Sequence, residues 1–341
     1  MVAGLVRPPV PLAEALSGAL EPVLDGAIRI DALRRLTGGT SHDSWAFDAF
    51  VGHVREPLPL VLRRNFSDRS LDLPTATEFE LLRRLHAAGV AVPRPVAGGG
   101  DASTVGASFI VSERWELGDL RKRIAAGTVD LQGLGRALVN LQARIHRLDW
   151  AQVLGTLLPH QGPDTAAQLV AHWCGVAQRL SPAADPLLAA AIDWLRANVP
   201  TGAPLALLHG DFKTNNLVMR EASGVGAVDW ELAHIGDPLE DLAWTLLWTT
   251  PHDLVGGLLA PDEYLAAYAE ATGSAVDPAR LAFWRLFVLV KLVAIFLRSP
   301  QLLAGTQHPS PTHLLLLRSI PWLQRQMARL LLQTLEAGAC R

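Results

Sequence analysis

The sequence predicts an α+β chain in two lobes, a small antiparallel-sheet lobe followed by a larger, mostly helical one. Three observations carry this expectation. Short apolar runs punctuated by Gly and Pro fill residues 28–111. Longer stretches with apolar residues at helical spacing dominate after Gly118. The pattern changes once, near residues 113–118. At roughly 100–200 residues per domain, the 341 residues suffice for two cores. Half of the residues are apolar and 18% are charged, which argues against disorder over most of the length.

The elements follow in chain order. Residues 1–26, rich in Pro, Ala and Leu, read as an N-terminal arm or added helix. Residues 27–36 form a first strand and Gly38-Gly39 a turn; residues 44–50 form a second strand. Pro57 and Pro59 then lead into Leu60-Val61-Leu62, a compact third strand. Pro74-Thr75 opens a helix whose apolar positions Phe79, Leu82 and Leu85 recur at helical spacing, and Gly89 stops it. A glycine-rich loop precedes another strand at 107–113. The expected division is 27–113 for the sheet lobe, 114–118 for a hinge and 119–341 for the helical lobe.

In the helical lobe, residues 131–148, 164–180 and 184–198 read as helices, and 205–208 and 226–229 as short strands. From Leu239 onward the pattern is helical, broken at Pro251, Gly256-Gly257, Pro278, Pro300 and Pro309. Residues 281–297 are the most apolar stretch, but they number 17 and include Arg285 and Lys291. A membrane span needs about 20 apolar residues without such charges, so this segment reads as a core helix and no membrane association is expected. Net charge is −3, so the basic excess of a nucleic-acid binder is absent. Cys174 and Cys340 are far apart and give neither a disulfide framework nor metal-ligand spacing. A cytoplasmic protein is expected, since no clear signal pattern opens the chain.

The informative segment is 207–244. Asp211 follows an apolar run and the His209-Gly210 pair; Asn216 lies five residues on, and Asp229 ends the next apolar run thirteen residues later. A loop between two short strands would bring these oxygen-bearing side chains to one edge. Phosphoryl transfer asks for such a set. Magnesium, which takes oxygen ligands, must bridge the phosphates, and a separate carboxylate must orient the acceptor hydroxyl and take its proton. Asp211 suits the second task, Asn216 and Asp229 the first. His209 reads as an orienting core residue rather than a base. Asp237 reads as a helix N-cap with Pro238 at the first helical position, and Asp241 as an anchor for backbone N–H groups of the loop.

The stretch His209-Gly210-Asp211-Phe212-Lys213-Thr214-Asn215-Asn216, with Asp229-Trp230-Glu231 and 236–243 after it, resembles the aminoglycoside phosphotransferase and choline kinase-like family. The resemblance spans about 28–296 and points to the acyl-CoA-dehydrogenase-associated branch. It implies a bilobal protein-kinase-like fold and an ATP- and Mg2+-dependent transferase that moves the γ-phosphate to a hydroxyl of a small molecule. By this likeness Asp211 is the catalytic carboxylate, and Asn216 and Asp229 bind metal. Lys213 either touches the transferred phosphate or is a solvated loop lysine. The loop 36–44 would cover the nucleotide phosphates through Gly39 and Ser41, although a plain hairpin turn looks the same. The kinase pattern Val-Ala-Ile-Lys aligns with Val61-Leu62-Arg63 and favours Arg63, with Arg64 the alternative phosphate contact; either is an arginine where family members often have lysine. Glu78 resembles the helix glutamate that pairs with this cation, the alternative being a surface glutamate. Glu113 would begin the hinge that binds adenine.

The acceptor pocket is expected in the helical lobe. Arg280, Arg285, Lys291 and Arg298 punctuate its apolar final part, which favours a neutral or acidic hydroxyl compound over a polycationic antibiotic. Two other readings stand beside this one. A kinase-shaped scaffold is disfavoured by the intact Asp211, Asn216 and Asp229. A protein kinase is disfavoured by the His-Gly-Asp triplet and by the lack of an Ala-Pro-Glu-like segment after Asp229.

Overall fold

The computed structural model describes residues 11–36, 43–65, 73–100, 102–115, 124, 126–159, 161–181, 185–220, 224–247, 258–298 and 311–339. Gly39 and Ser41 lie outside the described residues. So do 116–118 of the expected hinge and the expected breaks at Pro251, Gly256-Gly257, Pro300 and Pro309. The chain divides into two compact units, Met1–Glu116 and Leu117–Arg341.

The first unit is built on a five-stranded sheet. Its strands are β1 (Ile28–Arg35), β2 (Asp43–Val51), β3 (Leu58–Asn65), β4 (Pro95–Gly99) and β5 (Ser108–Glu113). Their order is β1-β2-β3-β5-β4 and every pairing is antiparallel. Helix α1 (Leu12–Leu24) covers one face: Leu16 and Leu20 are fully buried in a core with Phe47, Leu60, Leu62, Phe109 and Val111. Burying a leucine side chain contributes roughly 1.5–3 kcal/mol, so α1 is part of this unit's core rather than a loose arm. Helix α2 (Thr75–Ala87) packs on β4 and β5. Two elements lie where the sequence reads as a glycine-rich loop. They are β4 and the short helix α3 (Ala102–Val105), which adds Val105 to the core. The backbone ladder of β5 recruits Pro95–Gly99 despite its weak strand propensity.

The second unit is mostly helical. It contains α4 (Leu131–His146), α5 (Trp150–Leu154), α6 (Thr165–Leu180), α7 (Pro186–Ala197), α8 (Pro238–Leu247), α9 (Pro261–Thr272), α10 (Pro278–Leu297) and α11 (Pro311–Ala339). Aspartates start several of these helices by accepting orphan N–H groups. Asp185 accepts from Leu187 and Leu188, Asp277 from Ala279 and Arg280, and a proline follows each. Helix α10 is the core helix expected at 281–297; it packs on α6, α7, α8 and α11. Among the described residues no helix is long and apolar enough to cross a membrane.

Two small ribbons serve the segment 206–236. Strand β6 (Ala206–Leu208) pairs with β9 (His234–Gly236), and β7 (Leu217–Arg220) pairs with β8 (Gly224–Ala227). The second ribbon shifts the expected 226–229 strand back by two residues and adds a partner for it. Residues 209–213 belong to no helix or strand, and a 3₁₀ turn, Thr214–Asn216, follows them.

Candidate active site

Residues 209–212 are held by side chains from one face of α8. Asp241, Trp244 and Thr245 stand at i, i+3 and i+4, the spacing that stacks side chains on one helical face. Asp241 accepts from the N–H of His209 through Oδ2 and from the N–H of Gly210 through Oδ1, each at 2.9 Å. The Trp244 indole N–H donates to Asp211 Oδ1 at 3.0 Å. The Thr245 hydroxyl donates to the Phe212 carbonyl at 3.3 Å and accepts from Gln142 Nε2 at 3.0 Å. Tyr264 in turn donates to Gln142 Oε1 at 2.9 Å. The anchor role expected of Asp241 is thus present, and Trp244 and Thr245 extend it along the loop.

Asp241 is fully buried, which opposes its ionisation. His146, and then His209 through its backbone N–H, more than offset that cost and hold its carboxyl at about 2. His146 Nε2 lies 3.2 Å from Asp241 Oδ2, and its Nδ1 lies 2.7 Å from the Tyr268 hydroxyl.

Gly210 has φ 79°, and a Cβ there would run into the carbonyl oxygen of Leu232. Only glycine meets both conditions. His209 is buried, with Nε2 donating to Val228 O at 3.1 Å and Nδ1 accepting from the Asp211 N–H at 3.3 Å. Both ring nitrogens therefore serve the loop, in keeping with an orienting residue.

Asp211 is the centre of the cluster. Asn216 Nδ2 donates to its Oδ2 at 2.7 Å and to its backbone carbonyl at 3.0 Å. Lys213 Nζ lies 3.0 Å from the same Oδ2. The amide end of Asn216 is committed to Asp211, so its carbonyl oxygen points the other way. Asn216 O accepts from the Val228 N–H at 2.9 Å, which sets Asn216 beside Asp229 at one end of the β7–β8 ribbon. Asp229 has φ 66°, an uncommon conformation for a residue with a Cβ. Trp230 behind it is fully buried and packs against His209 in a tilted ring contact, 4.6 Å between centres.

A second buried layer lies behind Trp244. The Lys291 ammonium donates to Glu240 Oε1 at 2.9 Å and sits 5.3 Å from the ring centres of both Trp173 and Trp244. His234 Nε2 lies 3.1 Å from Glu240 Oε2. Burial opposes the Glu240 charge, but Lys291 and then His234 offset it and hold the carboxyl at about 2. Asp237 caps α8 by accepting from the Leu239 N–H at 3.0 Å and also takes the Trp284 indole N–H at 2.8 Å. Burial raises its carboxyl, partly offset by these donors and by Arg280, whose Nε is 3.0 Å away.

These contacts correct one expectation from the sequence. Lys291 is 1% exposed and paired with Glu240, and Arg280 is paired with Asp237. Two of the four cations read as a hint about the acceptor are therefore internal counter-ions. Of the four, Arg285 and Arg298 alone carry the hint of a neutral or acidic acceptor.

In the sheet unit, strand alternation separates the two arginines of β3. Arg63 forms an ion pair with Glu78, which is 2% exposed on α2. Arg64 turns the other way, to Asp43 through Nε at 3.1 Å and to Val105 O at 3.0 Å. The buried Glu78 is thus a partner of the strand cation and not a surface glutamate. Glu113 ends β5; its carboxylate takes Arg94 Nε at 2.7 Å and its N–H donates to Arg94 O at 2.9 Å.

Trp244, Thr245 and the Lys291–Glu240 pair are absent from the sequence reading. The first two could have been found by extending the Asp241 face by three and four residues. Lys291 announces itself only as a lysine inside an apolar run, and nothing local names a partner 51 positions away.

Comparison with known proteins bears on the fold and the family. A relative is the rat (Rattus norvegicus) acyl-CoA dehydrogenase family member 11, 27% identical over 257 residues, covering 70% of this chain and 32% of that protein. The chain spans less than a third of the length of the curated relatives it matches. Among solved structures, a Ralstonia eutropha JMP134 protein assigned as an aminoglycoside phosphotransferase superposes with a TM-score of 0.70 at 16% identity. That alignment covers 94% of this chain and 98% of that one. A thermostable variant of the aminoglycoside phosphotransferase APH(4)-Ia, solved in ternary complex with AMP-PNP and hygromycin B, gives 0.60 at 17% identity, covering 94% and 98%. At these identities the structures establish the shared kinase-like fold. The model of the phosphotransferase enzyme family matches residues 32–284, which include Arg63, Glu78, Asp211, Asn216, Asp229 and the α8 anchors. The chain is a member of the phosphotransferase enzyme family.

Proposed function

We propose that this phosphotransferase moves the γ-phosphoryl group of ATP to a hydroxyl of a small molecule, with Asp211 orienting that hydroxyl and taking its proton. The observation that supports this most is the Asp211 carboxylate, fixed by Asn216, Lys213 and Trp244 on a loop bound to α8. A carboxylate so restrained presents a constant direction to an incoming O–H, which is what orientation requires. The acceptor oxygen forms a new bond to the γ-phosphorus as the bond from that phosphorus to the β,γ-bridging oxygen breaks. ADP leaves with the electron pair, and the hydroxyl proton passes to Asp211.

Lys213, beside Asp211, would balance charge on the moving phosphoryl group. Arg63, held by Glu78, would serve the α- and β-phosphates. Glu113 would begin the adenine-binding hinge, and Gly39 and Ser41 would cover the phosphates. Asn216 and Asp229 offer an amide oxygen and a carboxylate, the hard oxygen donors that magnesium prefers, so they fit a metal role. Bound there, Mg2+ would supply positive charge against the negative charge of the phosphates. ATP as donor is supported by the AMP-PNP held by APH(4)-Ia.

The test is a screen of purified protein with MgATP against aminoglycosides, neutral polyols and acidic hydroxy compounds, reading ADP and phosphorylated product. Transfer to at least one hydroxyl compound is expected. MgATP should also raise the melting temperature by mass action, and Asp229→Ala should weaken that rise. A full shift in Asp229→Ala would remove Asp229 from the metal, and no shift in the parent would argue against ATP as donor.

A further inference from the structure

The residue that fixes the free edge of the Asp211 carboxylate lies outside the catalytic motif, on α8. We propose that Trp244 is a positioning residue for phosphoryl transfer, turning Asp211 so that one lone-pair direction of Oδ1 is left for the acceptor hydroxyl. This inference rests on the function proposed above.

A carboxylate accepts about four hydrogen bonds, two at each oxygen. Oδ2 of Asp211 has two donors, Asn216 Nδ2 at 2.7 Å and Lys213 Nζ at 3.0 Å. Among the described residues Oδ1 has one, the Trp244 indole N–H at 3.0 Å. Among the described residues one direction at Oδ1 therefore has no donor, and the side chain keeps 12% of its surface exposed. Without the indole N–H the carboxylate could rotate about Cβ–Cγ. Both directions at Oδ1 would then be open, and water could compete with the acceptor.

The ring of Trp244 is itself immobilised. It is 2% exposed, and the Lys291 ammonium lies 5.3 Å from its centre, tied to Glu240 at 2.9 Å. A cation over an indole face is attracted to it, most strongly when desolvated. The buried ion pair thus backs the ring, and the ring aims its N–H at Oδ1. Asp241 and Thr245 do not duplicate this role, since they bind backbone groups of the loop.

Trp244→Phe keeps an aromatic ring and removes the donor. Turnover should fall roughly tenfold to a hundredfold, as for loss of a hydrogen bond to a charged group. KM for ATP should not change, and a larger share of ATP should be lost to water. The assay is MgATP with the acceptor from the screen, or ADP release alone if no acceptor is found. Placed on Asp211→Asn, the same substitution should add nothing, because its effect runs through Asp211. A phenylalanine variant with parental turnover, or a fully additive loss in the double variant, overturns the proposal. Should Trp244→Phe fail to fold, the indole N–H resonances of the ten tryptophans in the labelled parent and in Asp211→Asn provide a second reading. One of them should move upfield when the acceptor becomes an amide; if none moves, the contact is absent and the proposal falls. A parent that turns over no ATP overturns the proposed function and this role with it. An active parent with a silent Trp244→Phe overturns this role alone.

Discussion

The two units fix their site residues by different means. Arg63 stands on β3, whose backbone is locked on both sides by β2 and β5, and its side chain then meets Glu78. Asp211 stands on backbone that belongs to no strand or helix; side chains of α8 hold the backbone of His209, Gly210 and Phe212 on either side of it and the Asp211 carboxylate itself. In the first case the ladder supplies position and a side chain supplies only charge. In the second, side chains supply the position itself. A substitution in the sheet unit should therefore have a local, chemical consequence, while one on α8 should disturb both the fold and the chemistry.

Asp211→Asn sets the scale for the helical unit. The amide still accepts a hydrogen bond but cannot take the proton, and general-base contributions are about 10²–10⁴-fold. Turnover should fall by at least about a hundredfold, with ATP affinity by calorimetry unchanged. Near-parental turnover in a folded variant would falsify the assigned role.

Asp241→Ala tests whether side chains carry the loop. It strips two backbone N–H groups and His146 of a buried charged partner. Breaking such a buried set costs about 3–5 kcal/mol, readable as a lower urea midpoint, and turnover should drop in whatever fraction folds. A variant that loses neither would mean that the loop keeps its shape without α8.

Acid should reach the same anchors. Asp241 and Glu240 sit at about 2 in the folded protein, below their ordinary 3.8 and 4.5. Carboxyls lowered by folding contribute stability above their unfolded values, and that contribution is lost as pH falls through the folded ones. Asp237, raised by burial, acts in the opposite sense, gaining a proton more readily when folded. Asp43 and Glu80 of the sheet unit are lowered as well, so four lowered carboxyls stand against one raised, and the melting temperature followed by circular dichroism should decline from about pH 4.5 toward 2. Glu240→Gln should make that decline shallower. An unchanged slope in the variant would detach Glu240 from acid sensitivity.

Arg63→Lys should give the smallest effect and the cleanest contrast. The charge opposite Glu78 survives and the strand ladder is untouched, but the planar fork becomes a point charge. KM for ATP should rise severalfold, with a urea midpoint close to the parent's. A large loss of stability would show that the sheet unit also relies on this side chain for position.

The residues legible in the sequence are those whose meaning is local. The Asp211–Asn216–Asp229 spacing, the Asp237-Pro238 cap and the Asp241 anchor sit within 31 positions, and each is read from its immediate neighbours. The Arg63 and Glu78 pairing was legible only through the family resemblance; alternation on β3 does no more than put Arg63 and Arg64 on opposite faces. What escaped depends on distant parts of the chain. Strand β4 exists because β5 offers it a ladder, and its own Pro-Val-Ala-Gly-Gly has little strand character. Lys291 is buried because Glu240 and two tryptophans await it in the fold, and a pattern of apolar residues cannot supply that counter-ion.

Asp229 is the place where folding and chemistry would choose different residues. Its φ of 66° costs a side chain with a Cβ about 1 kcal/mol, which glycine escapes. A library randomised at this position and sorted on heat resistance should enrich glycine; sorted on product formation, it should return aspartate. An aspartate held in that conformation is what the proposed metal role at 229 would require, and the two sortings separate that demand from the demand of the fold.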